Sequence, residues 1–199
     1  MGAPDSRRFS DRLTATAARL STWLGDMGDF WVFGYGSLIW RPGFPHLETR
    51  RARLFGYRRS LCVYSFVHRG TRERPGLVLG LDRGGSCVGV AFKVDGAARE
   101  EVIGYLRERE QVTSVYLEKT LTARLETGET VEAVAYVADR AHEQYAGALS
   151  ETEAATVVQG AVGQSGRNEE YLASTVEHLH KLGIRDHWLE GVAKQVAHL

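Results

Sequence analysis

The residues best suited to chemistry lie in a glycine-bracketed turn that directly follows an apolar run. Within residues 31–40, Gly34 and Gly36 permit positive φ angles and the close approach of a ligand, while Ser37 adds a hydroxyl and Tyr35 an aromatic wall. Main-chain N–H groups exposed in such a turn can hold an anion. The same pattern also occurs in ordinary connections between a strand and a helix, so this turn alone assigns no function.

A second candidate is the carboxylate of Glu110, which follows a predicted helix over 97–109. A carboxylate at the C-terminal end of a helix faces the negative end of the helix dipole, which raises its proton affinity and suits a general base. The alternative is a solvated run of alternating charges, and we place Glu108 in that class. Glu101, earlier on the same predicted helix, is open to either interpretation.

The spacing of apolar residues predicts several strands before any long helical stretch. The predicted strands cover 30–35, 53–65, 77–82, 87–94, 115–125 and 131–137. The pair 77–82 and 87–94 is predicted to form a hairpin around residues 83–86, because Gly84 and Gly85 favour a tight turn.

Helices are predicted to dominate the C-terminal third of the chain. One begins at Ser150, where Glu153 completes a capping-box pattern, and two more cover about 168–182 and 186–196. Together with the helix over 97–109, this order is typical of an α+β fold with a mostly antiparallel sheet.

The length of 199 residues and the hydrophobic content of 43% are sufficient for one domain with a sizeable core. We assign this domain to residues 30–199. Residues 1–29 are interpreted as an N-terminal helical extension, because apolar residues recur at helical spacing over 6–25 and Gly25 and Gly28 follow.

The composition argues against several classes of partner. The formal net charge is zero, so we expect no nucleic acid and no membrane surface as partner. Without a signal-type segment or a bilayer-spanning apolar stretch, we expect a cytoplasmic protein in which Cys62 and Cys87 are buried, reduced thiols. No nucleotide-binding fingerprint is present and His178, His180 and His187 lack metal-ligand spacing, so we expect neither cofactor nor metal.

Four separated motifs follow one another along the chain. They are residues 32–40 (Val-Phe-Gly-Tyr-Gly-Ser-Leu-Ile-Trp), His68-Arg69-Gly70 with Pro75-Gly76, Tyr105-Leu106 with Arg109-Glu110, and residues 165–168 (Ser-Gly-Arg-Asn) with Tyr171-Leu172. In order and spacing they resemble the ChaC-type gamma-glutamylcyclotransferases over about residues 30–195. The resemblance implies an α+β fold in which a small mixed, mostly antiparallel sheet curls into a partly open barrel with surrounding helices.

The resemblance also implies an enzyme that cleaves glutathione to 5-oxoproline and cysteinylglycine. In that reaction the free α-amine of the glutamyl group attacks its own γ-carbonyl, and the position of Glu110 in the family motif implies that it is the catalytic acid and base. The implied substrate-binding residues are Gly34, Tyr35, Gly36, Ser37, Leu38, Ile39, Glu101 and Tyr171. For Tyr171 a half-buried helix aromatic is an equal alternative, and Arg167 is either a carboxylate ligand or structural.

Two alternative functions stay open at this point. One is the same cyclisation on other γ-glutamyl peptides or amines, and the other is a non-catalytic module that senses γ-glutamyl compounds. His68, Arg69 and Gly70 are either a loop that covers the site or a plain turn. Residues 111–116 replace the double glycine that many eukaryotic members have before the following tyrosine, which leaves the substrate preference open. The pattern assigns no oligomeric state.

Overall fold

The computed structural model describes residues 28–110 and 114–198, so the predicted helix over 6–25 lies outside it and stays a prediction. The strands are β1 (Phe30–Gly34), β2 (Glu48–Ser65), β3 (Gly76–Val94), β4 (Tyr116–Leu125), β5 (Thr130–Ala138), β6 (Val162–Gly163) and β7 (Gly166–Arg167). The helices are α1 (Arg99–Glu110), α2 (Glu151–Val158), α3 (Asn168–Lys181) and α4 (His187–Val196). Within this part of the chain, no helix is long and apolar enough to cross a membrane.

The first five strands form a closed barrel in the order β1, β3, β2, β4, β5. β1 completes the closure, because it pairs antiparallel with β3 on one side and parallel with β5 on the other. The predicted α+β fold with a mixed, mostly antiparallel barrel is confirmed, and the barrel is closed rather than partly open. β6 and β7 form a separate two-stranded ribbon just before α3.

The predicted hairpin around residues 83–86 is wrong. β3 runs through this segment without interruption and stays paired with β2 on both sides of it. Gly84 and Gly85 have φ angles of 101° and 72°, and Gly56 in β2, where the register shifts, has a φ of 82°. Glycines with positive φ therefore build a bulge here, at which the two strands bend together instead of reversing.

Because of this bend, β3 pairs with both β1 and β5. Its second half pairs antiparallel with β1, whereas in its first half Leu81 pairs in parallel with Val137 of β5. Since β1 and β5 are parallel to each other, the two halves of β3 run in opposite directions relative to β5. The first half brings Val78 and Leu79 to the same cavity as Tyr35, the residue that follows β1.

Two apolar clusters lie on opposite faces of the barrel wall. In β5, Ala133, Ala135 and Val137 belong to the cluster that contains α2, α3 and α4, whereas Val134 and Tyr136 belong to the cluster that contains α1. This alternation follows from the two-residue period of a strand. The helices therefore cover different faces of one sheet.

The predicted helix starts agree with the structure because their caps are local. At the start of α2, the Ser150 hydroxyl accepts from the main-chain N–H of Glu153 and the Glu153 carboxylate accepts from the N–H of Ser150, which confirms the capping box. At the start of α4, Asp186 accepts from the N–H of Leu189 at 3.2 Å.

The buried side chain of Arg59, in β2, links the residue after β1 to the start of α4 by hydrogen bonds. This side chain is only 3% exposed. The guanidinium donates to the Tyr35 carbonyl at 2.6 Å, to the Val88 carbonyl at 2.6 Å and to Asp186 Oδ2 at 3.0 Å. The carbonyl of Tyr35 is thereby held by a cation whose charge is balanced by the N-cap of α4.

We expect Asp186→Asn to lower the free energy of unfolding by roughly 3–5 kcal/mol, because a buried guanidinium that loses its carboxylate partner is strongly destabilising. Asparagine preserves the N-cap function, so the loss reports the ion pair with Arg59. Urea denaturation measures the change. Asp95→Asn is the matched control, since Asp95 is an exposed N-cap that accepts from Ala97 at 2.8 Å. Equal stability changes in the two variants would contradict the assignment.

Candidate active site

A cavity of about 680 Å³ lies where α1, α3 and the loop after β1 meet. The cavity is lined by strands β3, β4 and β5, by helices α1 and α3, and by three connections: the loop after β1, the β2–β3 connection and the β6–β7 turn. The lining residues are Tyr35, Gly36, Ser37, Leu38, Trp40, Arg41, His68, Arg69, Val78, Leu79, Arg109, Glu110, Tyr116, Tyr136, Ser165, Glu170, Tyr171 and Ser174.

The loop after β1 contributes main-chain donors to this cavity. Residues Ser37–Ile39 form a short 3-10 turn, in which the N–H of Ile39 donates to the Gly36 carbonyl at 2.9 Å. The first N–H groups of such a turn, those of Ser37 and Leu38, have no acceptor within it and are left for a ligand. Gly36 has a φ of −132°, and neither Gly34 nor Gly36 adopts the positive φ that a glycine permits.

Gly34 is instead required by close packing. A Cβ atom at this position would lie 3.1 Å from the Phe92 ring and 3.2 Å from Leu38 Cβ. Gly34 belongs to β1, where it pairs with Val90, and it does not line the cavity. The glycine therefore permits the loop to fold back tightly over the end of the strand.

Glu110 is the last residue of α1, and its side chain is 17% exposed. Burial raises the pKa of the Glu110 carboxyl, and the Arg109 guanidinium, whose Nε lies 3.3 Å from Glu110 Oε1, opposes part of that rise. The direction is the one expected for a carboxylate at a helix C-terminus, and its largest cause is burial. Such a group is suited to accept a proton near neutral pH.

Arg109 joins the end of α1 to the loop after β1. Its guanidinium donates to Ser37 Oγ at 2.9 Å, to the Tyr105 hydroxyl at 2.9 Å and to the Arg41 carbonyl at 2.6 Å. These bonds fix the distance between Glu110 and the donor loop. Arg109 lies within the motif that contains Glu110, but the sequence alone assigns it no role in the site.

Tyrosines form much of the wall around Glu110. The Tyr116 hydroxyl donates to the Leu79 carbonyl at 2.7 Å, and the Tyr171 hydroxyl accepts from the Leu79 N–H at 3.2 Å. Burial raises the pKa of Tyr171 to about 12 and those of Tyr35 and Tyr116 well above the ordinary value, with the Glu110 charge adding to each rise. These hydroxyls are therefore neutral when Glu110 is ionised.

The structure brings together some of the predicted site residues and leaves others apart. Tyr35, Gly36, Ser37, Leu38, Glu110 and Tyr171 line the cavity, as do His68 and Arg69. The predicted binding residues Gly34, Ile39 and Glu101 do not: Ile39 uses its N–H within the turn, and Glu101 is exposed in the first turn of α1. Arg167 also lies outside, where its guanidinium pairs with Glu169 at 3.0 Å.

Tyr116 and Tyr136 are cavity residues that the sequence did not single out. Each begins or interrupts an apolar strand pattern in which an aromatic residue is ordinary, so no local signal distinguishes them from core residues. Tyr136 is tied to Glu118, to which its hydroxyl donates at 3.0 Å. Their role follows from the barrel, which places β4 and β5 beside the end of α1.

Comparison with known proteins agrees with this geometry. The family model described as "ChaC-like protein" matches residues 30–199. The chain belongs to the ChaC-like family. Among the relatives of this ChaC-like protein, the glutathione-specific gamma-glutamylcyclotransferase of Escherichia coli is 34% identical over 174 residues, which cover 87% of this chain and 75% of the relative. Glutathione-specific gamma-glutamylcyclotransferase 1 of Mus musculus is 35% identical over 181 residues, covering 88% and 81%.

A solved structure supports the fold of this ChaC-like protein. The gamma-glutamylcyclotransferase specific to glutathione from yeast superposes with a TM-score of 0.77 at 24% identity, covering 85% of this chain and 96% of the yeast chain. At this identity the likeness concerns the fold, and it agrees with the closed mixed barrel and its helices.

We expect Glu110→Gln to change the pH dependence of stability. A carboxyl whose pKa is raised in the folded state favours folding when protonated, so its contribution falls as pH rises from the unfolded-state pKa through the folded-state pKa. The glutamine variant lacks this loss. The unfolding free energy of the variant minus that of the wild type should therefore increase between pH 4 and pH 8. This range begins near the unfolded-state pKa of glutamate, about 4.3, and extends above it.

Urea unfolding at several pH values measures this difference. Glu108→Gln is the control, because Glu108 lies two residues earlier in α1 and is exposed. A flat difference for Glu110→Gln, or the same slope in both variants, would contradict the burial of an ionisable carboxyl at Glu110.

Proposed function

We propose that this chain is a glutathione-specific gamma-glutamylcyclotransferase, which converts glutathione to 5-oxoproline and cysteinylglycine. The observation that carries the proposal is the buried carboxylate of Glu110 in one cavity with the donor loop of residues 35–38. Membership of the ChaC-like family and relatives named for this activity support it.

The reaction needs no external nucleophile. The α-amine nitrogen of the glutamyl group attacks the γ-carbonyl carbon, a five-membered lactam forms, and the bond from that carbon to the cysteine nitrogen breaks. The attacking nitrogen is an ammonium at neutral pH, so it must first lose a proton, and the leaving nitrogen must gain one. One carboxylate placed beside both nitrogens can transfer both protons.

Glu110 is the proposed carrier of these protons. Its raised pKa brings the carboxyl nearer to the working pH, which lowers the energy difference between its two protonation states. The Arg109 guanidinium, whose Nε lies 3.3 Å from Glu110 Oε1, favours the ionised form and opposes part of this rise. Burial and the neighbouring charge therefore act on the carboxyl in opposite directions, as suits a group that must both accept and donate a proton.

The donor loop is proposed to bind the negative charges of the substrate. The γ-carbonyl oxygen becomes an oxyanion in the transition state, and the glutamyl α-carboxylate is anionic throughout. The free N–H groups of Ser37 and Leu38, with the Ser37 hydroxyl beside Arg109, are donors of the kind that stabilise such charges. Because Arg109 and Arg59 hold the loop, its donors are oriented before the substrate arrives.

The aromatic wall is proposed to fold the glutamyl chain into a reactive shape. Ring closure requires the amine and the carbonyl of one flexible chain to meet, and holding such a geometry can lower a barrier by up to about 7–11 kcal/mol. Tyr35, Tyr116 and Tyr171 restrict the space beside Glu110. Neutral hydroxyls on this wall leave the Glu110 charge as the partner for the substrate ammonium.

Cysteine chemistry is not part of the proposal. Cys62 and Cys87 are free and buried, and burial raises their thiol pKa values to about 12 and about 11. Buried free thiols of this kind fit a reducing compartment, which supports a cytoplasmic location.

The test is an assay of 5-oxoproline from reduced glutathione, with γ-glutamyl-alanine in parallel. We expect the wild type to prefer glutathione and Glu110→Gln to lose about 10²–10⁴-fold or more in turnover, the range for loss of a general acid and base. Glu108→Gln, exposed on the same helix, should retain activity.

The two outcomes against the proposal are distinct. If γ-glutamyl-alanine is the preferred substrate, the assigned cyclisation reaction stands, but the assignment of glutathione as the substrate is wrong. Binding of glutathione without any 5-oxoproline, in the wild type as in Glu110→Gln, would instead identify a sensor of γ-glutamyl compounds.

A further inference from the structure

Arg69, in the connection between β2 and β3, places a positive charge on the cavity wall. No carboxylate of the described residues lies within 4.0 Å of its guanidinium, which donates to the Arg167 carbonyl at 3.3 Å. It also lies over the Tyr171 ring, with Cζ 5.2 Å from the ring centroid. A guanidinium that is held in place but not neutralised is suited to bind an anionic ligand group.

The main chain at Arg69 is fixed as well. Its N–H donates to Ser65 Oγ at 3.0 Å. A Cβ atom on Gly163 would lie 2.6 Å from the Arg69 nitrogen, and one on Gly76 would lie 2.8 Å from the Arg69 carbonyl carbon, so both neighbours approach it closely. This packing makes the connection a rigid part of the cavity and disfavours a plain exposed turn.

Tyr171 is close enough to Arg69 and to Glu110 to be affected by both charges. The Glu110 charge raises the pKa of the Tyr171 hydroxyl, while the Arg69 charge lowers it. The cavity therefore has a negative pole at Glu110 and a positive pole at Arg69, and both residues line it together with Tyr171.

The polarity of the cavity determines which end of the substrate meets each pole. The ammonium that must lose its proton belongs at Glu110, and the glutamyl α-carboxylate is bonded to the same carbon as that ammonium. This carboxylate must therefore stay near the donor loop. The glycine carboxylate is at the other end of the tripeptide, separated from the reacting carbonyl by the cysteine residue.

We propose that Arg69 binds the glycine carboxylate of glutathione and is the residue by which this chain selects the tripeptide over γ-glutamyl compounds that lack a carboxylate there. The inference rests on the proposed function and adds a specificity determinant to it. Binding at a distance from the reacting atoms contributes to substrate and transition state alike, so its removal raises KM more than it lowers kcat.

The other polar groups at this end of the cavity are compatible with an anion. His68 Nδ1 lies 3.0 Å from Ser165 Oγ, which orients the ring beside Arg69. Glu170 is exposed at the rim, and no contact within 4.0 Å joins its carboxylate to Arg69 in the described part of the chain. Among the described residues Arg69 therefore has no carboxylate partner, although Glu170 Oε2 and Arg69 Nη1 would each lie 3.5 Å from a Cβ atom on Gly166.

The experiment compares glutathione with glutathione amide, in which the glycine carboxylate is replaced by a neutral amide. For the wild type we expect kcat/KM to be about tenfold or more higher for glutathione. In Arg69→Gln, kcat/KM for glutathione should fall by about 10- to 100-fold, mainly through KM, while that for the amide changes by less than about threefold.

Arg72→Gln is the matched control. Arg72 lies in the same connection and covers an aromatic ring, that of Phe66, at the same 5.2 Å, but it is exposed and does not line the cavity. We expect this variant to retain the wild-type preference for the acid. Thermal unfolding of both variants shows whether any loss reflects folding.

The outcomes separate this inference from the proposed function. If Arg69→Gln loses activity equally on both substrates, Arg69 contacts the glutamyl end, and the inference is overturned while the enzyme activity stands. If Arg69→Gln retains the wild-type preference, the inference is likewise overturned. Failure of the wild type to form 5-oxoproline from either substrate would overturn the proposed function and this inference with it.

Discussion

The partial burial of the Glu110 carboxylate, whose side chain is 17% exposed, is the constraint around which the candidate site is organised. A carboxylate removed from water is destabilising unless neighbouring groups compensate for the lost hydration. At Glu110 the compensation comes from Arg109, which is itself bonded to Ser37, Tyr105 and the Arg41 carbonyl. The contacts that stabilise the charge therefore also set the position of the donor loop relative to it.

The barrel supplies the other half of this arrangement. The bulge at Gly84 and Gly85 turns β3, so that its first half carries Leu79 to the cavity. Both main-chain groups of Leu79 are then used by tyrosine hydroxyls, one from Tyr116 and one from Tyr171. A strand bend far from Glu110 along the sequence thus orients the aromatic wall beside it.

Features that depend on neighbouring residues could be predicted from the sequence. The capping box at Ser150 and the N-cap at Asp186 are formed within four residues, and the helix starts they mark are correct to within two residues. Gly84 and Gly85 were misread for a physical reason: a positive φ builds either a hairpin turn or a bulge, and the choice depends on Gly56, which lies about thirty residues earlier in β2.

The site residues that belong to a sequence motif could be predicted. Those that the fold of the barrel brings together from distant parts of the chain could not. Glu110 and the loop from Tyr35 to Leu38 were expected from their motifs, and they share one cavity. Tyr136 and the ion pair between Arg59 and Asp186 arise from contacts across the sheet, for which a single sequence has no signal. Glu101 is the opposite case. Nine residues span about 2.5 turns of an α-helix, so Glu101 and Glu110 lie on opposite faces of α1, and the Glu101 side chain is exposed.

In the proposed reaction the substrate's own amine, deprotonated by Glu110, attacks the γ-carbonyl, and water takes no part. The most direct measurement is mass spectrometry of the products formed from glutathione in water labelled with oxygen-18. We expect 5-oxoproline without the label and no glutamate, because the lactam oxygen is the original γ-carbonyl oxygen. Labelled glutamate, or label in the 5-oxoproline, would show that water attacks the carbonyl and would contradict the assigned chemistry.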